Sequence, residues 1–261
     1  MRQTQFVVLT TQRSGSSWLI DLLNAHPEIA AYGEMFRVTD TTVPIYGARE
    51  APSFEVMVPP GVWSVSRVLF RRRYEYVRSL GRAHPDARAV GFKLMYDQTR
   101  DHPGLLETLV ARRTRVIHLV RRDHLSALVS FDVAFGRDRW RYHEGDELPA
   151  ARVHVDTGEL LRRLDERTAE IARFQQRLSR LPVRVCEVAY EDLRERRDDV
   201  LRSLLDFLAV PPVRSPLGST LVPTGSVSGL DAVENRDAVV AALSGTRYSA
   251  LVRAPDRRVA R

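Results

Sequence analysis

The sequence feature that most constrains the fold is the stretch from Gln5 to Ile20, which reads QFVVLTTQRSGSSWLI. An apolar, β-forming run at residues 6–9 leads into a short polar loop at 10–16, and apolar residues then recur at helical spacing to residue 23. This order predicts a strand, a tight loop and a helix. Such a turn aims backbone N–H groups and the positive end of the helix dipole at one point, which suits an anion such as phosphate. The alternative interpretation is an ordinary strand-to-helix turn with a capping serine.

The side chains of the loop favour the anion-binding interpretation. Hydrogen-bond donors occur at Arg13, Ser14, Ser16 and Ser17, and Gly15 lets the backbone approach a ligand closely. A phosphate loop of the kinase or ATPase type needs GxxxxGK followed by Ser or Thr, with the lysine on the phosphates and the hydroxyl on magnesium. The sequence does not contain that pattern. We therefore expect chemistry without a metal and keep an ATP- and magnesium-dependent kinase as a rival hypothesis.

Composition narrows the class of protein. With 261 residues, of which 44% are hydrophobic, the chain is long enough to bury a good core, and we expect one α/β domain over residues 1–261. No apolar run approaches the roughly 18 residues of a membrane span, and the first residues lack the signal-peptide pattern, so we expect a cytoplasmic protein. The net charge of +7 indicates an anionic partner. The basic residues form no recognised nucleic-acid module, and we expect no nucleic acid partner.

Two further polar residues follow predicted strands. A short strand at residues 29–32 is followed by a predicted loop that begins with Gly33 and Glu34, and the strand AVGFKLM at 89–95 contains Lys93. Ligands of open parallel sheets bind at the carboxyl ends of the strands, so Glu34 is a candidate general base. The alternatives are a solvated loop glutamate and a lysine whose ammonium extends to the end of its strand.

A second strand–loop–helix unit is predicted around the run RVIHLV at 115–120. Arg121 and Arg122 follow the strand, and Ser130 lies on the helix after it. About two helical turns separate Arg122 from Ser130, so both side chains could approach one phosphate. A surface arginine pair with a solvent-facing serine is an equally good interpretation of this pattern.

The rest of the chain alternates helical and extended patterns. Helical spacing covers residues 65–80, 102–112, 158–181, 197–208 and 236–244, a further strand covers 183–188, and loops cover 190–193 and 213–229. In the basic segment 67–82, the run Arg71 to Arg73 is typical of a solvated helix face, with contact to an acidic acceptor or a membrane surface as the alternative. Cys186 lies in an apolar run and is expected to be a buried structural thiol.

Five motifs, in order, resemble the PAPS-dependent sulfotransferases, in particular the bacterial carbohydrate-type branch that includes nodulation-factor and trehalose sulfotransferases. The motifs are TTQRSGSSWL (10–19), HPEIAAYGEMF (26–36), GFKLMYDQ (91–98), HLVRRDHLSALVS (118–130) and VAYEDL (188–193). The resemblance implies a three-layer, P-loop-like α/β fold with a central parallel sheet flanked by helices. It also implies a donor, 3′-phosphoadenosine 5′-phosphosulfate (PAPS), and its product PAP.

The resemblance assigns roles by position. Glu34 corresponds to the general base of the carbohydrate branch, with His26 as a weaker candidate, and Lys93 falls on the acceptor or leaving-group side. Arg121 or Arg122, with Ser130, corresponds to the site of the 3′-phosphate, although His124 replaces the family's usual proline. Arg13 falls where other members have Lys or Arg, which contacts the bridging-oxygen region of the donor, so the resemblance also makes it a catalytic candidate. The residues implied to bind the donor nucleotide are Gln12, Arg13, Ser14, Gly15, Ser16, Ser17, Trp18 and Tyr190.

The implied reaction moves a sulfuryl group from PAPS to an acceptor hydroxyl. We expect the hydroxyl on a sugar, glycolipid or glycosylated metabolite; a phenolic or other secondary-metabolite hydroxyl is the alternative, and a nucleotide-binding protein without catalysis is the rival from another class. Acceptor pockets would come from the variable segments 37–88 and 136–157. Peripheral membrane contact and oligomerisation stay open.

Overall fold

The computed structural model of the chain describes residues 3–37, 54, 66–137, 152–219, 221 and 229–252. These residues belong to two compact units, formed by Met1–Arg122 with Arg173–Val222 and by Asp123–Ala172 with Pro223–Arg261.

The first unit is built on a parallel sheet of five strands. They are β1 (Thr4–Thr10), β2 (Ile29–Glu34), β3 (Ala89–Met95), β4 (Arg115–Val120) and β5 (Val185–Ala189). Their order across the sheet is β2-β3-β1-β4-β5, and every neighbouring pair is parallel. Strand β1 is therefore central, and the loop after it lies at the middle of the carboxyl edge. The predicted α/β class with a parallel sheet is confirmed.

The inner strands are mostly apolar because helices cover the sheet on both faces. All seven residues of β3 are buried, and so are the last five of both β1 and β4. The predicted bounds of β3 and β4 coincide with the observed ones. Continuous apolar runs of this kind are the strongest strand signal in the sequence.

The helices of the first unit follow the strands. They are α1 (Ser16–Asn24), α2 (Ser66–Arg82), α3 (Tyr96–Asp101), α4 (Leu105–Ala111), the end of α6 (Thr157–Ser179), α7 (Tyr190–Glu195) and α8 (Arg197–Leu208). Helices α1 and α8 bury their leucines against one face of the sheet, where Phe6 and Val8 of β1 meet Ile117 and Leu119 of β4. This packing fixes the start of α1, and with it the loop that precedes it.

Two helical segments differ from the prediction. The predicted helix at 102–112 begins at Leu105, because Gly104 has a left-handed φ of 86°, and the residues before it form α3. The predicted loop at 190–193 is helix α7, whose first residue is Tyr190. Both missed helices have six residues, too few for the 3.6-residue period to show in a sequence.

The second unit has its own apolar core. It contains α5 (His124–Arg137), most of α6, α9 (Arg236–Leu243) and a 3₁₀ helix, Ser249–Val252. Leu125 and Val129 of α5 pack with Leu160 and Leu164 of α6 and with Val239 of α9. Most of the variable segments 37–88 and 136–157, at 38–53, 55–65 and 138–151, lies outside the described residues, as do residues 220 and 222–228 of the loop predicted at 213–229.

Two minor predictions need correction. Arg73 of helix α2 is 3% exposed and donates to the Pro103 carbonyl at 2.5 Å, so the basic run is not wholly a solvated face. Cys186 is half-buried rather than fully buried, and desolvation raises the pKa of its thiol, which keeps it in the unreactive protonated form. No helix within the described ranges is long and apolar enough to cross a membrane.

Candidate active site

The loop between β1 and α1 has an unusual backbone. Arg13 has a φ of 58° and Gly15 a φ of 81°, both left-handed, while Ser14 and Ser16 are buried. A Cβ added at Gly15 would lie 2.4 Å from the Tyr190 ring. Glycine is therefore required here on two counts, the backbone conformation and the close approach of the ring. The turn places successive N–H groups at the start of α1, as an anion site requires.

Arg121 and Tyr190 pack against this loop. The Arg121 guanidinium lies 4.7 Å above the Tyr190 ring and donates from Nη1 to the Arg13 carbonyl at 3.2 Å. Trp18, on the first turn of α1, meets the same ring edge-on with centroids 6.2 Å apart. Tyr190 is buried, and its ring carbons Cδ2 and Cε2 lie nearest to the position of a Cβ at Gly15. The loop, the end of β4 and the start of α7 are thus one packed cluster.

The two arginines after β4 have different environments. Arg121 is 8% exposed, and its buried Nε has no hydrogen-bond partner among the described residues. Arg122 is 64% exposed and donates from Nη1 and Nη2 to the two carboxylate oxygens of Asp192, at 3.3 and 2.8 Å. That hydrogen bonding raises the pKa of Arg122 and lowers the pKa of Asp192. Arg121 therefore belongs to the loop cluster, and Arg122 belongs to a surface ion pair.

An irregularity in β2 brings Glu34 to Lys93. Tyr32 pairs with Phe92, and the next pair is Glu34 with Lys93, so Gly33 is an extra residue in β2. Because side chains alternate along a strand, this bulge places the Glu34 side chain on the same face as Lys93. The sequence prediction had Gly33 and Glu34 in a loop; both are in the strand, and Glu34 ends it.

Glu34 and Lys93 form a largely buried ion pair. Lys93 Nζ lies 2.8 Å from Glu34 Oε1, and the two side chains are 7% and 21% exposed. Lys93 Nζ also lies 3.5 Å from the hydroxyl oxygen of Ser17, on α1. Lys93 therefore connects the carboxylate to the end of the anion-binding loop, instead of extending into solvent at the strand end.

Gln98 is a site residue to which the sequence analysis gave no role. It is 4% exposed on α3 and donates from Nε2 to Glu34 Oε2 at 2.9 Å. Gln12, in the loop, donates to Asp97 at 3.4 Å, so α3 contacts both the loop and the carboxylate. The available signal was a polar side chain soon after a strand end, which is common in loops and points to no partner.

The remaining predicted residues lie elsewhere or have other contacts. Ser130 is on α5, in the second unit. The His26 ring is buried between two backbone groups: Nε2 lies 2.9 Å from the Pro211 carbonyl, and Nδ1 accepts from Glu28 N at 3.1 Å. Both ring nitrogens are therefore engaged in structural contacts, as expected for a residue at a helix end.

The site has the groups for transfer of an anionic group. Backbone N–H groups and serine hydroxyls at the loop can bind phosphate or sulfate oxygens, Lys93 can stabilise developing negative charge, and the Glu34 carboxylate can accept a proton. Three or more metal-ligating side chains do not cluster anywhere in the described part of the chain. Metal-free chemistry stays a prediction.

Together, the strand order with β1 at the centre and the tight strand-to-helix turn after β1 define a P-loop-like α/β protein. Comparison with known families identifies the family within this class. A model described as "Sulfotransferase family" matches residues 5–214. The chain therefore belongs to the sulfotransferase family and is a sulfotransferase.

Individual relatives are distant in sequence. Nodulation protein H of Rhizobium meliloti is 25% identical over 219 residues, covering 80% of this chain and 78% of that protein. The sulfotransferase domain from the curacin biosynthetic pathway is 16% identical, with a TM-score of 0.49 over 92% of this chain and 91% of that one. A mouse sulfotransferase, SULT7A1, solved in complex with PAP, is 17% identical, with a TM-score of 0.40 over 97% of this chain and 75% of that one.

Proposed function

We propose that this sulfotransferase uses PAPS as its donor and transfers the sulfuryl group to the hydroxyl of a sugar, glycolipid or glycosylated metabolite, with Glu34 as general base. The observation that carries the proposal is the contact chain from the Glu34 carboxylate through Lys93 to Ser17, with distances of 2.8 and 3.5 Å. This chain connects a proton acceptor to the loop that suits an anion.

The residues present fit a donor with two phosphate-bearing ends. The absence of a Cβ at Gly15 lets the Tyr190 ring pack closely against the loop, and the N–H groups at the start of α1 would bind the 5′-phosphosulfate. Arg121 has a buried Nε without a partner among the described residues, and burying such a donor unpaired is costly. A ligand oxygen would remove that cost, so we assign the 3′-phosphate to Arg121 rather than to Arg122.

PAPS supplies a sulfuryl group bonded to a good leaving group. The acceptor hydroxyl loses its proton to Glu34 as its oxygen bonds to sulfur, the bond from sulfur to the bridging oxygen breaks, and PAP leaves with the electron pair. Proton removal by a positioned base contributes about 10²–10⁴-fold in rate. Lys93, Arg13 and the loop N–H groups would stabilise the charge that develops on the departing phosphate.

The nature of the acceptor rests on the resemblance of the five sequence motifs to the carbohydrate branch. Glu34 is the specific link, because the base of that branch is an acidic residue in the same motif. A phenolic acceptor is the alternative, and the two classes differ in the acidity of the hydroxyl. A sugar hydroxyl is hard to deprotonate and gains most from a general base.

The test is incubation of the purified chain with ³⁵S-labelled PAPS and a panel of glycans, glycolipids and phenols, with and without EDTA, followed by mass analysis of labelled products. We expect a labelled glycan or glycolipid, EDTA-independent transfer, and a thermal shift with PAP. Label found only on phenols would show that the acceptor is phenolic and not a sugar, glycolipid or glycosylated metabolite. No thermal shift with either PAPS or PAP would overturn the donor assignment.

A further inference from the structure

We infer that Gln98 is a positioning residue for sulfuryl transfer, which fixes the orientation of the Glu34 carboxylate. The inference rests on the proposed role of Glu34 as general base. It concerns a residue that touches the base rather than the reacting atoms.

The contacts of Gln98 determine which end of its amide faces Glu34. Its Oε1 accepts a hydrogen bond from the backbone N–H of Met95 at 3.2 Å. That contact requires the oxygen at this end, so the NH₂ group is the end 2.9 Å from Glu34 Oε2. Gln98 is therefore a donor to the carboxylate and not an acceptor beside it.

Gln98 and Lys93 contact different oxygens of the same carboxylate. Lys93 Nζ lies 2.8 Å from Oε1, and Gln98 Nε2 lies 2.9 Å from Oε2. The last torsion of a glutamate is broad, so one contact leaves the carboxylate plane free to rotate. Two donors on separate oxygens define the plane.

Gln98, which supplies the second contact to the Glu34 carboxylate, is held in place by its helix and is neutral. Helix α3 starts directly after β3, the strand that carries Lys93, so the two donors have a common support. Asp97 Oδ1 accepts the backbone N–H of Gln98 at 2.8 Å, which fixes the first turn of α3. A neutral amide orients the carboxylate without adding a second positive charge.

Burial makes an unpaired amide at Gln98 unfavourable. The side chain is 4% exposed, and burying an amide is costly unless its polar atoms are paired. Methionine has nearly the same length and packs well in irregular apolar sites, so the amide is not needed to fill this space. Its hydrogen bonds are what distinguish it from an apolar residue.

The experiment is a double-mutant cycle with Gln98→Met, Glu34→Gln and the double variant. Transfer is assayed with labelled PAPS and the acceptor found in the panel, or with water as acceptor if no panel compound gives product. Gln98→Met is expected to lower kcat about 10–100-fold, the range for a misplaced catalytic group. KM and PAP affinity should stay close to wild type, and Gln98→Met should cause no further loss in the Glu34→Gln background.

Thr99→Val is the matched control on the same helix. The Thr99 hydroxyl is buried and donates to the Tyr96 carbonyl at 2.7 Å, so the variant should lower stability and leave kcat unchanged. Gln98→Glu, which keeps the shape but replaces the donor with an acceptor, should lose kcat as Gln98→Met does; it decides the matter if the methionine variant fails to fold.

The outcomes separate the inference from the function on which it rests. Wild-type kcat in Gln98→Met or Gln98→Glu overturns the inference while Glu34 remains the base. An equal loss from Gln98→Met with and without Glu34 also overturns it, because Gln98 would then act elsewhere. Full turnover in Glu34→Gln overturns the proposed base instead.

Discussion

Replacing Gly15 with alanine should disrupt the loop between β1 and α1 through two separate effects. The residue has a φ of 81°, and a left-handed conformation costs a residue with a Cβ roughly 1–2 kcal/mol. The new methyl carbon would also lie 2.4 Å from Tyr190 Cδ2 and 2.7 Å from Cε2, and overpacking of this kind costs about 1–3 kcal/mol. We therefore expect the free energy of unfolding to fall by about 2–5 kcal/mol.

Gly245→Ala is the matched control. Gly245 has a φ of 75°, and no atom of the described residues lies within 4 Å of an added Cβ. The free energy of unfolding of this variant should therefore fall only by the cost of the left-handed backbone conformation, roughly 1–2 kcal/mol. The difference between the two variants isolates the contact between the loop and Tyr190.

Urea unfolding followed by circular dichroism gives the free energy of unfolding of both variants, and a titration with PAP gives their affinity for the nucleotide. Gly15→Ala should also weaken PAP binding, because the loop must shift to admit the methyl group. In a Tyr190→Ala background the cost of Gly15→Ala should fall to that of Gly245→Ala, since the ring is gone. Equal stability of Gly15→Ala and Gly245→Ala, with unchanged PAP affinity, would refute the reasoning.

Two further predictions concern Arg121 and His118. Arg121→Ala should weaken PAP binding strongly and Arg122→Ala little, by isothermal titration; the reverse order would reassign the 3′-phosphate. His118 is buried, lies 2.5 Å from the Tyr96 hydroxyl and 3.0 Å from Glu187, and desolvation lowers its pKa below the ordinary 6.5. The unfolded chain thus binds more protons below about pH 6.5, so stability should fall there, by at most about 1.4 kcal/mol per pH unit for one proton. This fall should be smaller in His118→Gln. Urea unfolding at several pH values measures it, and an equal slope of the unfolding free energy against pH in the wild type and the variant would contradict the prediction.

The sequence predicted the features that depend on local, continuous patterns. Strands β3 and β4 are mostly apolar because both faces of the sheet are covered, and their bounds were predicted to the residue. The turn around Gly15 was predicted because a strand, a small polar loop and a helix follow one another directly. The fold class followed from these units and from the family resemblance.

The features that the sequence did not reveal depend on register and on contacts between distant segments. The bulge at Gly33, which turns Glu34 toward Lys93, follows from pairing with β3 and has no local signature. The different environments of Arg121 and Arg122 depend on Tyr190 and on Asp192 of α7, a helix too short to predict.

The donor amide of Gln98 was missed for the same reason. Its partner Glu34 is 64 residues away along the chain. A buried glutamine after a strand looks like any polar loop residue until the strand order places it beside a carboxylate.

The measurement that tests the central claim most directly is transfer from labelled PAPS by Glu34→Gln, compared with Glu28→Gln. Glu28 lies just before β2 and forms an ion pair with Arg88 at 2.7 Å, with its side chain 33% exposed, so it offers the same chemical change away from the carboxyl edge. We predict that Glu34→Gln loses about 10²–10⁴-fold in kcat with unchanged PAP affinity, while Glu28→Gln transfers at the wild-type rate. Transfer by Glu34→Gln at the rate of Glu28→Gln would contradict the account.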